Sequence, residues 1–526
     1  MTSILKYLNR ALLVLLLAAF AACSDNEGGN ESNGNGDDGN TETPADGDTY
    51  GYIKDTNGNP VEGVVVSDGY SCTATDAEGR YALTRNADAG FVFYSLPSAY
   101  KVSVDKTYKL PRFFARLQAG TARYDFTLEA LAAPEKRFDL ICIGDPQINE
   151  ASHAVRFKEE AGRDIREYAA SAGVPCYGIT LGDHVNNKWT LFTNMVVALQ
   201  PEQTGVPVFA TIGNHDHEFP TADEKAARAK YESYFGPVDY SFNRGDVHVV
   251  SMDNVIHSCK ASADYEGGFT AAQYEWLKQD LSFVPKDKMV ILCVHIPFRG
   301  GWGTNSAHAD ADKYYDEVLD LLSQYEYAAI MSAHTHSNIN YIHRKNGKEI
   351  FEHVTGTTCG AWWRSTVCTE GTPIGFGLYR IDGNRMEEWA YRSVRHDEQF
   401  QIRLYRASDT FVGGAKYRFK QTGADQIVAN IWNWDPSWTV NVYENDVLSG
   451  QMTRNSDIDA WTVAYHIGLL NNTDSYRKSS DHMFHYTLKN PAAAVRVEAI
   501  DRFGNKYEQT VFTDPAEHPG DFHADF

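Results

Sequence analysis

From Arg137 onward the chain alternates short apolar runs with longer amphipathic ones. RFDLICIGDPQ (137–147), PCYGITLGDHV (175–185) and VPVFATIGNHD (206–216) are brief runs of aliphatic and aromatic residues, which predicts strands. Between them, HAVRFKEEAGRDIREYAASAG (153–173) and WTLFTNMVVALQ (189–200) carry apolar residues at helical spacing. HVVSMDN (248–254), MVILCVHIPF (289–298) and YAAIMSAHTHS (327–337) extend the strand series. TAAQYEWLKQDLSFV (270–284) and YYDEVLDLLSQYE (314–326) lie between them as amphipathic helices. Strands alternating with helices imply an α/β core, placed over residues 137–351.

The flanks have a different texture. TYGYIKDTNGNPVEGVVVSDGYSCTATDAEGRYALT (49–84) consists of short β runs cut by Asn-Gly, Asp-Gly and Glu-Gly turns. This pattern predicts a small β-sandwich over 49–132. It reads either as a glycan- or substrate-presenting module or, more simply, as a spacer that packs on the next domain. From residue 352 the chain is β-rich again: GFGLYRIDG (375–383), MEEWAYRS (386–393), QIRLYRA (401–407), WTVNVYEND (438–446) and AAVRVEAID (493–501) all read as strands. A third, mostly β domain is expected over 352–526, its first part closing over the site. The predicted molecule is thus multidomain, with a central α/β unit between two β-rich ones.

Composition refines this picture. A chain of 526 residues is too long for one ordinary core. Its formal net charge of -22 argues against a nucleic-acid binder, which needs a basic face to displace counterions. Residues 24–48 hold Asp25, Glu27, Glu31, Asp37, Asp38, Glu42, Asp46 and Asp48 without a Lys or Arg, the texture of a disordered, solvated tether. Before it, Lys6 and Arg10 precede the apolar stretch ALLVLLLAAFAA and then Cys23. That length suits a secretory signal rather than a spanning helix, and a cysteine after small residues resembles a bacterial lipobox. Residues 1–23 are therefore expected to target the chain to the cell envelope, most simply the outer membrane, anchored through lipidated Cys23. Plain cleavage after the small residues is the alternative. The eight cysteines include no C-x-x-C pair, so a cysteine zinc site is not expected. Cys142, Cys176 and Cys293 lie in apolar runs and read as buried thiols, while Cys359 and Cys368 are candidates for pairing.

Each α/β strand ends in polar residues capable of ligating a metal. They are Asp145 and Gln147, then Asp183, then Asn214, His215 and Asp216, then His295, and finally His334 and His336. In open α/β sheets, ligands gather beyond the carboxyl ends of the strands, so these loops converge. Carboxylate, imidazole and amide oxygen together suit divalent Fe, Mn or Zn.

The order GDPQ, GDH, GNHD, VH and AHTH resembles the calcineurin-like metallophosphoesterases, whose central domain is a β-sandwich flanked by helices. HVTGTTCGAWW (353–363) and GTPIGFGLY (371–379) resemble the C-terminal domain that accompanies this fold in a bacterial lipoprotein subgroup. The amino-terminal segment resembles its carboxypeptidase-regulatory-like sandwich.

The resemblance implies two divalent ions. The first would take Asp145, Gln147, Asp183 and His336, and the second Asp183, Asn214, His295 and His334, with Asp183 shared. It also implies a bridging hydroxide attacking a phosphate ester while His215 protonates the leaving oxygen. Gln147 stands where the family has histidine, Ala333 where it has glycine, and Asn186 where some members have a supporting aspartate. Arg299 and Arg364 are further candidates for substrate binding, and His184, His217 and His308 read equally as lining the site or as plain surface. The reading is a metal-dependent phosphoesterase, a monoesterase rather than a diesterase, with no obligate protein partner legible. The alternatives are a diesterase on the same site or a catalytically weak surface-binding lipoprotein.

Overall fold

The computed structural model describes residues 47–299, 313–408, 423, 425–472 and 478–515. The expected signal segment with Cys23, the acidic tether up to residue 46, and His308 lie outside the described residues. Among the described residues no helix is long and apolar enough to cross a membrane.

Seven short strands come first: β1 (Thr49–Asp55), β2 (Val65–Ser67), β3 (Cys72–Ala74), β4 (Arg80–Leu83), β5 (Phe91–Tyr94), β6 (Phe114–Arg116) and β7 (Phe126–Leu128). They form two sheets, ordered β4-β1-β7 and β3-β2-β5-β6. This sandwich is not a loose appendage, because its core runs on into that of the next domain. Trp276 packs on Phe93 and donates its indole N–H to Ser67 Oγ at 3.0 Å. The fully buried Arg244 donates to the carbonyls of Pro97 and Tyr100. A buried guanidinium left without those acceptors would carry a heavy desolvation cost, so the two units are joined by polar as well as apolar contacts.

The central domain is built on two larger sheets. The first uses β8 (Arg137–Ile143), β9 (Cys176–Leu181), β10 (Val208–Thr211), β19 (Gly375–Asp382) and β20 (Arg385–Ser393), in the order β10-β9-β8-β19-β20. The second uses β11 (Tyr240–Arg244), β12 (Val247–Ser251), β15 (Met289–Cys293), β16 (Tyr327–Ser332), β17 (Ile339–Lys345) and β18 (Lys348–Val354), in the order β11-β12-β15-β16-β18-β17. A separate hairpin pairs β13 (Val255–His257) with β14 (Tyr265–Gly267).

Within the first sheet β8, β9 and β10 run parallel, and within the second β12, β15, β16 and β18 do. Both faces of β8 are covered, which is why its sequence is apolar from Phe138 to Ile143 except for Asp139, whose carboxylate accepts from the Tyr168 hydroxyl. Phe138, Leu140 and Cys142 face the core shared with the second sheet, while Ile141 and Ile143 face the helices. Trimming one such side chain to alanine costs about 2–5 kcal/mol.

The helices expected at 153–173, 189–200, 270–284 and 314–326 are present. The first runs Ala151–Phe157 and Arg163–Ser171 with a π turn, Lys158–Gly162, between them. The others are Phe192–Ala198, Ala271–Ser282 and Tyr315–Leu322. A further helix, Glu224–Phe235, was not legible in the pattern because only Ala227, Tyr231 and Phe235 turn inward.

The last domain has β21 (Arg403–Arg406), β22 (Gln426–Asn430), β23 (Thr439–Glu444), β24 (Val447–Gln451), β25 (Thr453–Ile458), β26 (Ser479–Thr487), β27 (Val495–Ile500) and β28 (Lys506–Gln509). Its sheets are ordered β21-β22-β26-β25 and β24-β23-β27-β28. β19 lies antiparallel to β8, with Gly377 opposite Cys142, so residues 375–393 add two strands to the first sheet. Periodicity marks a strand but not its partner. Cys359 and Cys368 are not paired. Each thiol lies 3.6 Å from the Thr357 hydroxyl, and none of the seven described cysteines is in a disulfide.

Candidate metal centre

β8, β9, β10, β15 and β16 all end at the same edge of the sandwich, and the loop after each delivers one part of the site. Asp145 and Gln147 follow β8, Asp183 follows β9, Asn214 and His215 follow β10, His295 follows β15, and His334 and His336 follow β16. Asp145, Gln147, Asp183, His334 and His336 all have positive φ, between 37° and 64°. That backbone region is costly for residues with a side chain, and such strain collects at functional sites. It turns each side chain sharply inward at the strand end.

Two glycines make the close approach possible. A Cβ on Gly182 would lie 2.4 Å from His295 Nδ1, and one on Gly213 would lie 2.2 Å from the Asp183 amide nitrogen. Asp216 holds these loops together from behind. Its carboxylate accepts the backbone N–H groups of His184, Val185 and Gly213.

The donor atoms converge. Asp183, His295 and His334 each offer an atom within 4.8 Å of the others. His295 Nε2 lies 2.9 Å from Asn214 Oδ1, 3.1 Å from His334 Nδ1 and 3.4 Å from Asp183 Oδ1. Its Nδ1 is tied to the Leu181 carbonyl at 2.7 Å, which fixes the ring and leaves Nε2 toward the cluster. On the other side, His336 Nε2 lies 3.8 Å from Asp145 Oδ1, and the Gln147 amide donates to Asp183 Oδ2 at 3.4 Å.

Electrostatics show what the arrangement suits. Burial pushes the Asp145 carboxyl well above its usual range, with the Asp183 charge adding to the shift and His295 opposing it. Burial also opposes ionisation of Asp183, but His295 and His215 outweigh it and hold that carboxyl well below the usual range. His295 is raised to about 9 because the Asp183 carboxylate overcomes burial, whereas burial pushes His336 down to about 3. Two buried carboxylates this close do not both ionise comfortably without positive charge between them. Asp145 Oδ1 is moreover buried without any hydrogen-bond partner. An orphaned carboxylate oxygen beside imidazoles and amide oxygens fits a divalent cation by chemistry and by position.

His215 stands at the edge of this cluster, a quarter exposed. Its backbone N–H donates to Asp183 Oδ1 at 2.8 Å, its Nδ1 meets Asn187 Oδ1 at 2.8 Å, and its Nε2 lies 4.0 Å from Asp183 Oδ2. The residue that orients His215 is therefore Asn187, one position beyond the Asn186 that the sequence pattern singled out. The loop of 355–374 closes the opposite wall. Trp363 donates to the Pro146 carbonyl at 2.9 Å, Trp362 lies over His336 at 4.9 Å, and the Cys359 thiol lies 4.0 Å from both Gln147 Oε1 and His336 Nδ1. The last domain reaches in through Lys478, whose ammonium donates to the Thr335 carbonyl between His334 and His336. Burial lowers that ammonium to about 8.

The remaining candidates fall elsewhere. His184 and His217 are wholly buried, bonded to Asp216 and to Asp253, so they brace the loops from behind rather than line the site or the surface. Arg299 is exposed and stacks on Tyr341, and Arg364 is exposed. Among the described residues neither bonds to the cluster. Tyr265, which the sequence pattern did not single out, brings its hydroxyl within 3.3 Å of His334 Nε2.

Comparison with known proteins agrees with this geometry. Residues 127–338 match the model for the calcineurin-like phosphoesterase domain. Residues 48–131 match the N-terminal domain of calcineurin-like phosphoesterases and 352–507 the C-terminal one. Purple acid phosphatase 23 of Arabidopsis thaliana is 26% identical over 31% of this chain and 36% of its own length. Purple acid phosphatase 18 of the same plant is 25% identical over 32% and 38%. The chain thus spans little more than a third of these relatives. A purple acid phosphatase from yellow lupin seeds superposes with a TM-score of 0.35 at 14% identity, over 50% of this chain and 53% of that one. With three models of one family lying along it from residue 48 to 507, broken only at 339–351, the chain belongs to the calcineurin-like phosphoesterases, a family of metal-dependent hydrolases.

Proposed function

We propose that this chain is a metal-dependent phosphohydrolase acting on phosphate monoesters, with two divalent ions of Mn, Fe or Zn. The observation that carries the reading is the buried pair Asp145 and Asp183, one with an orphaned oxygen, facing three imidazoles and two carboxamides. Asp183 lies between the two donor groups and is the candidate shared ligand. Asp145, Gln147 and His336 would complete one position, and Asn214, His295 and His334 the other. Divalent ions held there supply positive charge against the phosphoryl oxygens and ease the deprotonation of a nucleophilic water.

The chain's own groups do the rest. Asn187 fixes His215 through Nδ1, so Nε2 is the atom that faces the ester and gives a proton to the leaving oxygen. Asp183 holds the His215 backbone, which keeps that ring at a set height above the cluster. Trp362 lies over His336 and narrows the approach beside it, on a loop that the buried Trp363 pins to the Pro146 carbonyl, which favours a monoester over a bulkier diester. Lipidation of Cys23 and attachment to the cell envelope complete the proposal.

The test is hydrolysis of chromogenic mono- and diesters by metal-stripped and Mn-loaded protein. Metal-dependent turnover that favours the monoester supports the reading. Turnover favouring the diester would move the assignment to phosphodiesterase, and none with either ester under any metal would overturn it.

A further inference from the structure

The β13–β14 hairpin stands outside both large sheets, and its Tyr265, opposite His257, is half-buried beside the metal centre. We propose that Tyr265 is a substrate contact whose hydroxyl donates a hydrogen bond to an oxygen of the bound phosphoryl group. This rests on the phosphoesterase reading above.

The direction of one hydrogen bond carries the inference. His334 turns Nδ1 inward, 3.1 Å from His295 Nε2, and belongs to the trio that converges on Asp183. A neutral imidazole that offers the lone pair of one ring nitrogen to a cation keeps its proton on the other. His334 Nε2–H therefore donates to Tyr265 Oη, 3.3 Å away. A tyrosine hydroxyl that accepts a bond still has its own proton to give. Among the described residues no second partner takes it. The ring is also held in place. It stacks at 10° on His257, whose Nδ1 accepts the Cys259 backbone N–H at 2.9 Å, and it meets His334 edge-on at 84°. A donor fixed in this way at the rim of a cation cluster suits an anionic oxygen, because little reorganisation is needed when charge develops.

A hydrogen bond to a charged acceptor changes an equilibrium constant by roughly 10- to 100-fold. The test compares Mn-loaded wild type with Mn-loaded Tyr265→Phe, which keeps the stacked ring. Binding of inorganic phosphate is followed by calorimetry and metal content by elemental analysis. Phosphate affinity weakened roughly 10-fold or more at unchanged metal content is the expected result. Unchanged phosphate affinity would overturn the inference. So would a loss of metal that accounts for the whole change, since Tyr265 would then only steady His334. If wild type itself binds no phosphate, the phosphoesterase reading fails, and the inference with it.

Discussion

On the side of Asn214, His295 and His334 the donor atoms already touch one another, at 2.9 and 3.1 Å, whereas on the side of Asp145, Gln147 and His336 they stand apart. The first group is held by a backbone tie at His295 Nδ1 and by the Tyr265 contact at His334. The second contains the orphaned Asp145 oxygen and a glutamine whose amide, not its carbonyl, faces Asp183. One half offers two imidazoles and a carboxamide with their donor atoms in mutual contact, while the other offers one imidazole and a carboxamide. A neutral amide oxygen is a weaker donor than imidazole for borderline metals. On the two-ion reading proposed above, a single replaced residue leaves one half of the site softer than its neighbour without dismantling either.

The strongest way to break the comparison is to remove what the halves share. Asp183→Asn should abolish metal occupancy at both positions and lower turnover by roughly three decades or more, since the charge stabilisation lost is several kcal/mol and each ~1.4 kcal/mol is a decade. Elemental analysis with steady-state kinetics checks this, and two bound ions with normal turnover would exclude Asp183 as the shared ligand. Next in size, His215→Ala should leave both halves loaded but slow turnover by roughly two to four decades. The loss should shrink for esters with good leaving groups. An equal loss for all esters would argue against a proton donor, and loss of metal would make His215 a ligand.

The larger part of both halves was legible in the sequence, for a physical reason. A parallel strand buried on both faces is a nearly unbroken apolar run, so the polar residue that ends it is conspicuous. Asp145, Asp183, Asn214, His295 and His334 all stand just beyond such runs. What was not legible depends on which segments meet. Asn187 sits one position from the residue that the pattern singled out, and only the positive φ there, 54°, turns its amide to His215. Tyr265 is 69 residues from His334 on a hairpin too short to show a period. The strands of 375–393 read correctly as strands, but nothing in their sequence says that they pair with β8. His184 and His217 read in the sequence as lining the site or the surface, and only their burial against Asp216 and Asp253 reveals them as braces.

Smaller effects sharpen the comparison. Asn187→Ala should keep both ions and cost roughly 10-fold in turnover, because it removes the hydrogen bond that orients His215. An unchanged rate would show that the ring is held by the Asp183 contact alone. Smallest in rate but most specific to the difference between the halves, Gln147→His should tighten the Asp145 position and leave the Asn214 position as it was. Under graded chelation of wild type the Asp145 position should empty first. Emptying of the Asn214 position first, seen by anomalous diffraction, would reverse the ranking of the two halves.

The central claim is that two cations at these loops make the chain a phosphomonoesterase. Its most direct test is a single titration: strip the purified protein of metal, add Mn back in steps, and record ions bound per chain alongside hydrolysis of a chromogenic monoester and diester. Turnover should be absent without metal, rise toward two ions per chain, and favour the monoester. Turnover that survives complete stripping, or a protein that takes up two ions and hydrolyses neither ester, would contradict it.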